Sequence, residues 1–489
     1  MTEVKGYVTY EDFGAKGDGI TDDMPSIVAC HEYANLHGLE VRGDDGANYY
    51  IGGKNITAVI KTNVNWGKAK FTIDDREIEN RGQNCFWISS DSKAFTPNIS
   101  SLKKEQKKVD LGIGGSYFVS VFDDTRRVYI RKGLNMDNGR AASDCFVVCE
   151  DGTVVGDINW NYERITSAVA ISTDDKPIVI EGGIFTTIAN RAPSFYNYHS
   201  RNIRINRSHV TVKDITYYVT GEGDHGAPYS GFLSIDNCYD VVLKDCLLTP
   251  HFTYRTESKI PGEYVSMGTY SISINAAVDI KLLNINQTID ITDNRYWGLM
   301  GTNFSKKFYM ENCEISRYDA HMGVTDCVIK NCKLGYMGTN LIGFGECVIE
   351  NTTFCSSRTV SLRSDYGSTF CGKLIMRNCR WIPLGAKDGR VFEAIQARNS
   401  GTHDFGYTCY MPREIVIDGL LIEDEHINAE DLSYCILPEY DSAYEEGRPY
   451  EYQTAEKVTV RGVYAKSGRR VVLCRNEKLY PHITDYDMQ

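Results

Sequence analysis

No run of more than two lysines or arginines occurs in the 489 residues, and the net charge is −12. Proteins that bind nucleic acid through its phosphates carry a basic patch, so no nucleic-acid partner is expected. A polyanionic substrate stays open, because a few local arginines would hold it. No apolar stretch approaches the ~20 residues of a membrane span, so no membrane partner is expected either. The opening residues MTEVKGYVTY contain no apolar core of a secretion signal. This reads as a cytoplasmic protein, or as an extracellular one if a leader has been removed. The 16 cysteines include no CxxC pair, which argues against a metal site. Disulfide frameworks belong mainly to short secreted chains. The cysteines are therefore expected to be reduced and buried.

What is present is ordinary in bulk, at 42% apolar and 24% charged residues. Tyrosine stands out at 32 residues. A flat ring covers the apolar face of a sugar, so exposed tyrosines suit a glycan. Tyrosine also simply favours β-structure, and both readings stay open.

Residues 10–35 read YEDFGAKGDGITDDMPSIVACHEYAN. Gly14, Gly17 and Gly19 mark tight turns. Thr21 is expected as an N-cap, with Asp22 and Asp23 in the first turn and Pro25 close behind. Ile27, Cys30, His31 and Ala34 recur at helical spacing, predicting a short amphipathic helix. The string DFGAKGDGITDD, followed by this helix and by ANYYIGG at 47–53, resembles the N-terminal segment of pectin-lyase-like parallel β-helix proteins. That family includes polygalacturonase-like hydrolases, other glycan-cleaving enzymes and phage tailspikes. The resemblance covers about the first 55 residues. It implies a cap over the end of a β-helix in which Asp12, Asp18, Asp22 and Asp23 are structural. The organisation expected is a cap over residues 1–55 and one β-helix with inserted loops over 56–489.

A repeat supports the same fold. IVIEGGIF (178–185), VTVKDITY (210–217), VVLKDCLL (241–248), FYMENCEI (308–315), CVIKNCKL (327–334), CVIENTTF (347–354), LIMRNCRW (374–381), IVIDGLLI (415–422) and VTVRGVYA (458–465) align. The shared turn position is Gly182, Asp214, Asp245, Asn312, Asn331, Asn351, Asn378, Asp418 and Gly462, with a weaker copy at Asn284. The copy at Asp418 fits only with a one-residue slip. Spacing is 19 and 20 residues from Asn312 through Asn331 to Asn351, and 27 to 44 elsewhere. Each copy alternates apolar and other residues and then meets a turn former, which is one rung of an all-β, right-handed parallel β-helix. Asn, Asp and Gly tolerate a left-handed backbone at a rung corner. Cys246, Cys313, Cys332 and Cys379 fall one residue past the turn position, and Cys327 and Cys347 four before it. Stacked rungs would pile these thiols roughly 4.8 Å apart in the interior. Leucine-rich and propeller signatures are absent.

A packed interior leaves the outer face and its loops for function. The strands preceding each marked copy are 296–301, 317–323, 339–345 and 359–367. Arg317, Asp319 and His321 alternate and so share a face, as do Arg363 and Asp365 two rungs later. Between them Gly343 and Gly345 form an uncharged floor on which a ligand would settle. Two rungs separate Asp319 and Asp365 by roughly 10 Å, near the spacing of an inverting glycosidase pair. Asp319 and Asp365 are therefore the candidate catalytic carboxylates, with His321 tuning them. Arg317 and Arg363 are candidate substrate ligands, and Tyr296, Trp297, Tyr318 and Tyr366 candidate aromatic walls. Glu222, Asp224 and His225, with Asp293, would line one end. Against this, exposed sheet faces carry charge for solubility, and Arg–Asp pairs are common on surfaces. The motif set of polygalacturonases is not found, so none of that family's catalytic residues is transferred.

Three functions follow. The leading one is a glycoside hydrolase without an organic cofactor. The second is a polysaccharide lyase acting on a uronate glycan, with His321, Tyr366 or Arg363 as base and a Ca²⁺ held by acids. The third is a non-catalytic glycan-binding or tailspike-type protein. The partner in each is an oligo- or polysaccharide, and both a monomer and a homotrimer stay open.

Overall fold

A computed structural model describes residues 6–475 and 483–486, apart from 133–135, 194–197, 224–226, 258–261, 263, 400–403 and 441–448. The chain is almost wholly β, with one α-helix near the N-terminus, and the long strands pair in parallel as the rungs of a right-handed β-helix. It divides into two compact units. The first comprises residues 1–93, 173–275 and 281–300, and the second 94–172, 276–280 and 301–489.

The helix spans Met24–His37 and buries Ile27, Cys30, His31 and Ala34. The cap differs from expectation. Asp23, not Thr21, is the N-cap, and its carboxylate accepts the backbone N–H groups of Lys16 (2.6 Å) and Gly17 (3.1 Å) instead of capping the helix. Thr21 is committed to Asp18, donating both its N–H (2.7 Å) and its hydroxyl (2.8 Å). Asp12 and Asp22 likewise accept backbone N–H groups. These carboxylates organise turns, as the structural reading requires.

In the first unit, Ile178 pairs with Val210 and Val210 with Val241. In the second unit one interior column runs Phe308, Cys327, Cys347, Leu374, Ile415 and Val458, each in parallel register with the next. Rung corners fall at the expected turn residues. Asn312, Asn331, Asn351 and Asn378 have φ of 55, 53, 49 and 50°, and Asp214, Asp245 and Asn284 behave alike. Where the repeat slips at Asp418, the left-handed residue is Gly419 (φ 82°). Asn351 Nδ2 donates to Asn331 Oδ1 at 3.1 Å, so the corner side chains form a ladder. Cys246, Cys313, Cys332, Cys379, Cys327 and Cys347 are all buried thiols.

Residues 94–172 contain no copy of the repeat. They form an antiparallel sheet of Tyr117–Val128, Arg140–Val148, Val154–Val155 and Ser167–Ser172. A buried ion pair ties this sheet to the rungs of the second unit. Lys306 Nζ contacts Asp144, and each side chain is 1% exposed. No helix among the described residues is long and apolar enough to cross a membrane.

Candidate functional site

Asp319 lies on strand Glu314–Ala320, flanked in register by Asn340 of Lys333–Leu341. Alternation turns Tyr318 inward, where it packs on Phe308 (5.3 Å between ring centres) and meets the Cys327 thiol. Tyr318 is fully buried, so the aromatic-wall role expected for it is corrected. Arg317 and Asp319 do share the opposite face, but that face is covered. The Asp319 side chain is 0% exposed and that of Arg317 5%. Arg317 Nη2 donates to Asp319 Oδ2 at 2.7 Å, and Arg363 Nη1 donates to both Asp319 oxygens at 3.1 and 3.0 Å.

The cover comes from a departure two rungs further along the chain. Residues 359–367 are not one strand: Val360–Leu362 is followed by a 3₁₀ turn, Ser364–Tyr366, closed by left-handed Gly367. Arg363 precedes this turn, so its guanidinium grips two acids at once. Nε and Nη2 hold Asp365 at 3.0 and 2.8 Å while Nη1 holds Asp319. Arg131, from the inserted segment, adds a second cation 3.0 Å from Asp365. The two expected carboxylates are thus brought together, but on either side of one guanidinium. Asp365 is the accessible one, with its side chain 23% exposed. Burial works to raise its pKa, yet the Arg363 bonds and the charges of Arg363 and Arg131 outweigh burial, and the carboxyl ends below its ordinary value. A carboxyl held ionised is suited to be a base or an anchor, not a proton donor.

His321 stands beside this cluster. Its Nδ1 lies 3.0 Å from Asn303 Oδ1, and its Nε2 lies 3.5 Å from the Tyr366 hydroxyl. A carbonyl oxygen only accepts, so Nδ1 carries the proton and Nε2 is the lone-pair side. Burial, and then the charge of Arg363, push the imidazole pKa down to about 4, so the ring is neutral near pH 7. Tyr366 is buried beneath the guanidiniums of Arg131 (4.6 Å) and Arg363 (5.5 Å), and its hydroxyl accepts from Arg131 Nη1 at 3.0 Å. Its expected role as an exposed wall is corrected too. It is a platform for cations.

Tyr366 leads to a feature that the repeat did not reveal. Tyr129 packs on Tyr366 (5.7 Å) and on Tyr407 (5.3 Å), and Tyr407 donates its hydroxyl to the Tyr366 carbonyl. Beyond these two rings opens a cavity of about 250 Å³. Its walls include Trp160, Phe344, Tyr407, Tyr410 and Tyr450, with Lys104, Arg126, Asn159 and Asn161. Ile342, Gly343 and Phe344 also line it, whereas Gly345 and the expected carboxylates Asp319 and Asp365 do not. Gly343 is obligatory: a Cβ there would lie 1.9 Å from the Val324 carbonyl oxygen of the neighbouring strand. The available signal was the stretch 94–172 that breaks the repeat, with its aromatic-amide run Asn159-Trp160-Asn161.

The remaining candidates lie in the first unit. The Glu222 side chain is 6% exposed, accepting from Phe252 N–H at 3.3 Å and from the Tyr254 hydroxyl, with His251 Nδ1 at 2.7 Å. Burial works to raise its pKa, but His251 and these bonds take it below the ordinary value. It is a packing anchor and not a cleft residue. Asp293 is gripped by Arg295 (Nη2 to Oδ2, 2.6 Å), and Tyr296 stacks on Phe252 at 4.5 Å. Trp297 packs near Tyr270 and fills the space over Gly268, where a Cβ would meet its ring at 1.8 Å. Asp224 and His225 lie outside the described residues. Among the described residues no group of three or more metal-ligating side chains converges.

No family model matches the sequence, and no curated protein matches it. Solved structures do. The tailspike protein gp49 from Pseudomonas phage LKA1 is 14% identical with a TM-score of 0.51, over 99% of this chain and 83% of that one. The Streptococcus pneumoniae surface protein and adhesin PfbA is 12% identical with a TM-score of 0.47, over 93% of this chain and 100% of that one. A hyperthermoactive exopolygalacturonase from Thermotoga maritima is 10% identical with a TM-score of 0.31, over 88% of this chain and 87% of that one. The first of these likenesses shows the fold, the right-handed parallel β-helix that the N-terminal resemblance implied. The other two are too distant to add to it.

Proposed function

We propose that the protein is glycan-active and holds a saccharide in the cavity of its second unit. The observation that carries this reading is the wall of that cavity: Trp160, Phe344, Tyr407, Tyr410 and Tyr450, with the amides of Asn159 and Asn161 between them. Aromatic rings cover the C–H face of a sugar and carboxamides satisfy its hydroxyls, so the mixture suits a pyranose better than a purely apolar ligand. The fold, shared with a phage tailspike, agrees with this reading. Calorimetric titration against plant, host and microbial oligosaccharides tests it. One ligand should bind, and Trp160→Ala should weaken it about ten-fold, ~1.4 kcal/mol. Binding that survives Trp160→Ala unchanged removes the cavity from the account.

For cleavage, the hydrolase reading asks one carboxyl to keep a proton for the leaving oxygen. Asp319 is locked between two guanidiniums and Asp365 is held ionised, which leaves that role unfilled. His321 favours elimination instead. It is held as a neutral imidazole, the form that takes a proton from carbon. In a uronate the C5 proton would pass to Nε2. The electron pair would become the C4–C5 double bond, and the departing glycosidic oxygen would take a proton from water. The product absorbs in the ultraviolet, whereas a hydrolase product does not. Digestion that releases reducing ends without that absorbance defeats the lyase reading.

A further inference from the structure

Arg126 is the odd residue of the cavity. It lies on strand Tyr117–Val128, half-buried, with its guanidinium 4.6 Å from the centre of the Trp160 ring. Phe344 meets the same indole edge-on at 4.9 Å, which fixes the plane on which the guanidinium rests. Among the described residues Arg126 makes no ion pair and no hydrogen bond. Most of the neighbouring arginines are tied to acids or to carbonyls. Arg131 and Arg363 pair with Asp365, Arg317 with Asp319, and Arg127 donates to the Asn138 and Gly139 carbonyls.

The rest of the lining agrees in sign. Lys104 supplies a second cation, and none of the cavity's lining residues is an acid. The nearest acid to Lys104 is Glu105, at 3.8 Å and largely exposed. The carboxamide oxygens of Asn159 and Asn161 each already accept one bond, from the Thr325 hydroxyl (3.0 Å) and the Lys104 N–H (2.8 Å). Each amide brings two N–H donors against the one lone pair left on its oxygen. The polar groups of the cavity are therefore weighted to donors, in a chain whose net charge is −12. A planar guanidinium steadied by an aromatic face and stripped of its own counter-ion is an anion receptor.

We infer that the cavity takes a single saccharide unit bearing a negative group, a carboxylate or a sulfate ester, with that group on Arg126 and Lys104. The volume of about 250 Å³ suits one pyranose ring. This rests on the glycan reading above and deepens it. Saturation-transfer NMR on the full chain with three probes tests it: methyl β-D-glucuronide, glucose 6-sulfate and methyl β-D-glucoside. An acidic probe should bind at least about ten-fold more tightly than the neutral glucoside, the scale of one charge-assisted contact. Preference between the two acidic probes then tells carboxylate from sulfate. Arg126→Gln should bring the acidic probe down to the level of the glucoside. Arg126→Lys should keep part of the preference. Arg126 has no ion pair to lose, so both variants should melt as the wild type does. Equal binding of acidic and neutral probes, or an Arg126→Gln variant that binds like wild type, overturns the anion assignment while the glycan reading stands. If no probe binds at all, both fall.

Discussion

Replacing Asp319 by alanine would leave two guanidiniums facing each other where a carboxylate had held both. Arg317 is 5% exposed and Arg363 15%, so neither gains much water in exchange. Removing one partner of a buried pair costs about 3–5 kcal/mol, because the remaining charge is uncompensated. Arg363 keeps Asp365, which places the expected loss near the lower end, about 3 kcal/mol. The second unit holds about 270 residues. An unfolding entropy of about 2.1 cal/mol/K per residue then gives about 0.6 kcal/mol/K, so its melting temperature should fall by about 5 °C. Asp365→Ala is the internal control. Its side chain is 23% exposed and Arg363 keeps Asp319 when it is gone, so it should cost about 1 kcal/mol. Thermal unfolding followed by circular dichroism compares the two. An Asp319→Ala protein as stable as wild type, or less damaged than Asp365→Ala, would refute the assignment of Asp319 as an internal anchor.

Three further outcomes follow from the same geometry. Asn351→Ala should cost about 1–2 kcal/mol in chemical denaturation, since the corner has φ 49° and the bond to Asn331 is lost; Asn351→Gly should cost less because it relieves the backbone. Gly343→Ala should cost about 3 kcal/mol or more, its Cβ meeting the Val324 carbonyl at 1.9 Å, and a mild effect would show that the rungs can part there. His321 is held neutral in the fold at a pKa of about 4, so the folded chain binds fewer protons than the unfolded one between about pH 4 and 6.5. Stability should therefore fall as pH drops through that window. His321→Gln should remove a component on the order of 3 kcal/mol from the slope, and identical pH profiles would contradict the burial.

The coil was legible because its signal is local. A left-handed corner admits Asn, Asp or Gly at one position per rung, and that position can be read without knowing what stacks on it. Even the slip at Asp418 was visible, and Gly419 takes the corner there. The face shared by Arg317 and Asp319 was also legible, since alternation fixes it. Its burial was not, because burial depends on Arg363 folding back from a 3₁₀ turn that reads as strand in sequence. Thr21 is a sound N-cap by residue type, yet Asp18 claims it and Asp23 takes the position. The cavity was the least legible part. Its walls come from three stretches, 104–161, 342–371 and 407–450, and only the fold brings them together.

Hydrogen exchange, with and without a saturating saccharide found in the binding screen, tests the account most directly. Protection should appear in three peptides at once: around Asn159–Asn161, around Ile342–Phe344 and around Tyr407–Tyr410. Protection confined to the first unit, around Asp293–Trp297, with those three peptides unchanged, would contradict it.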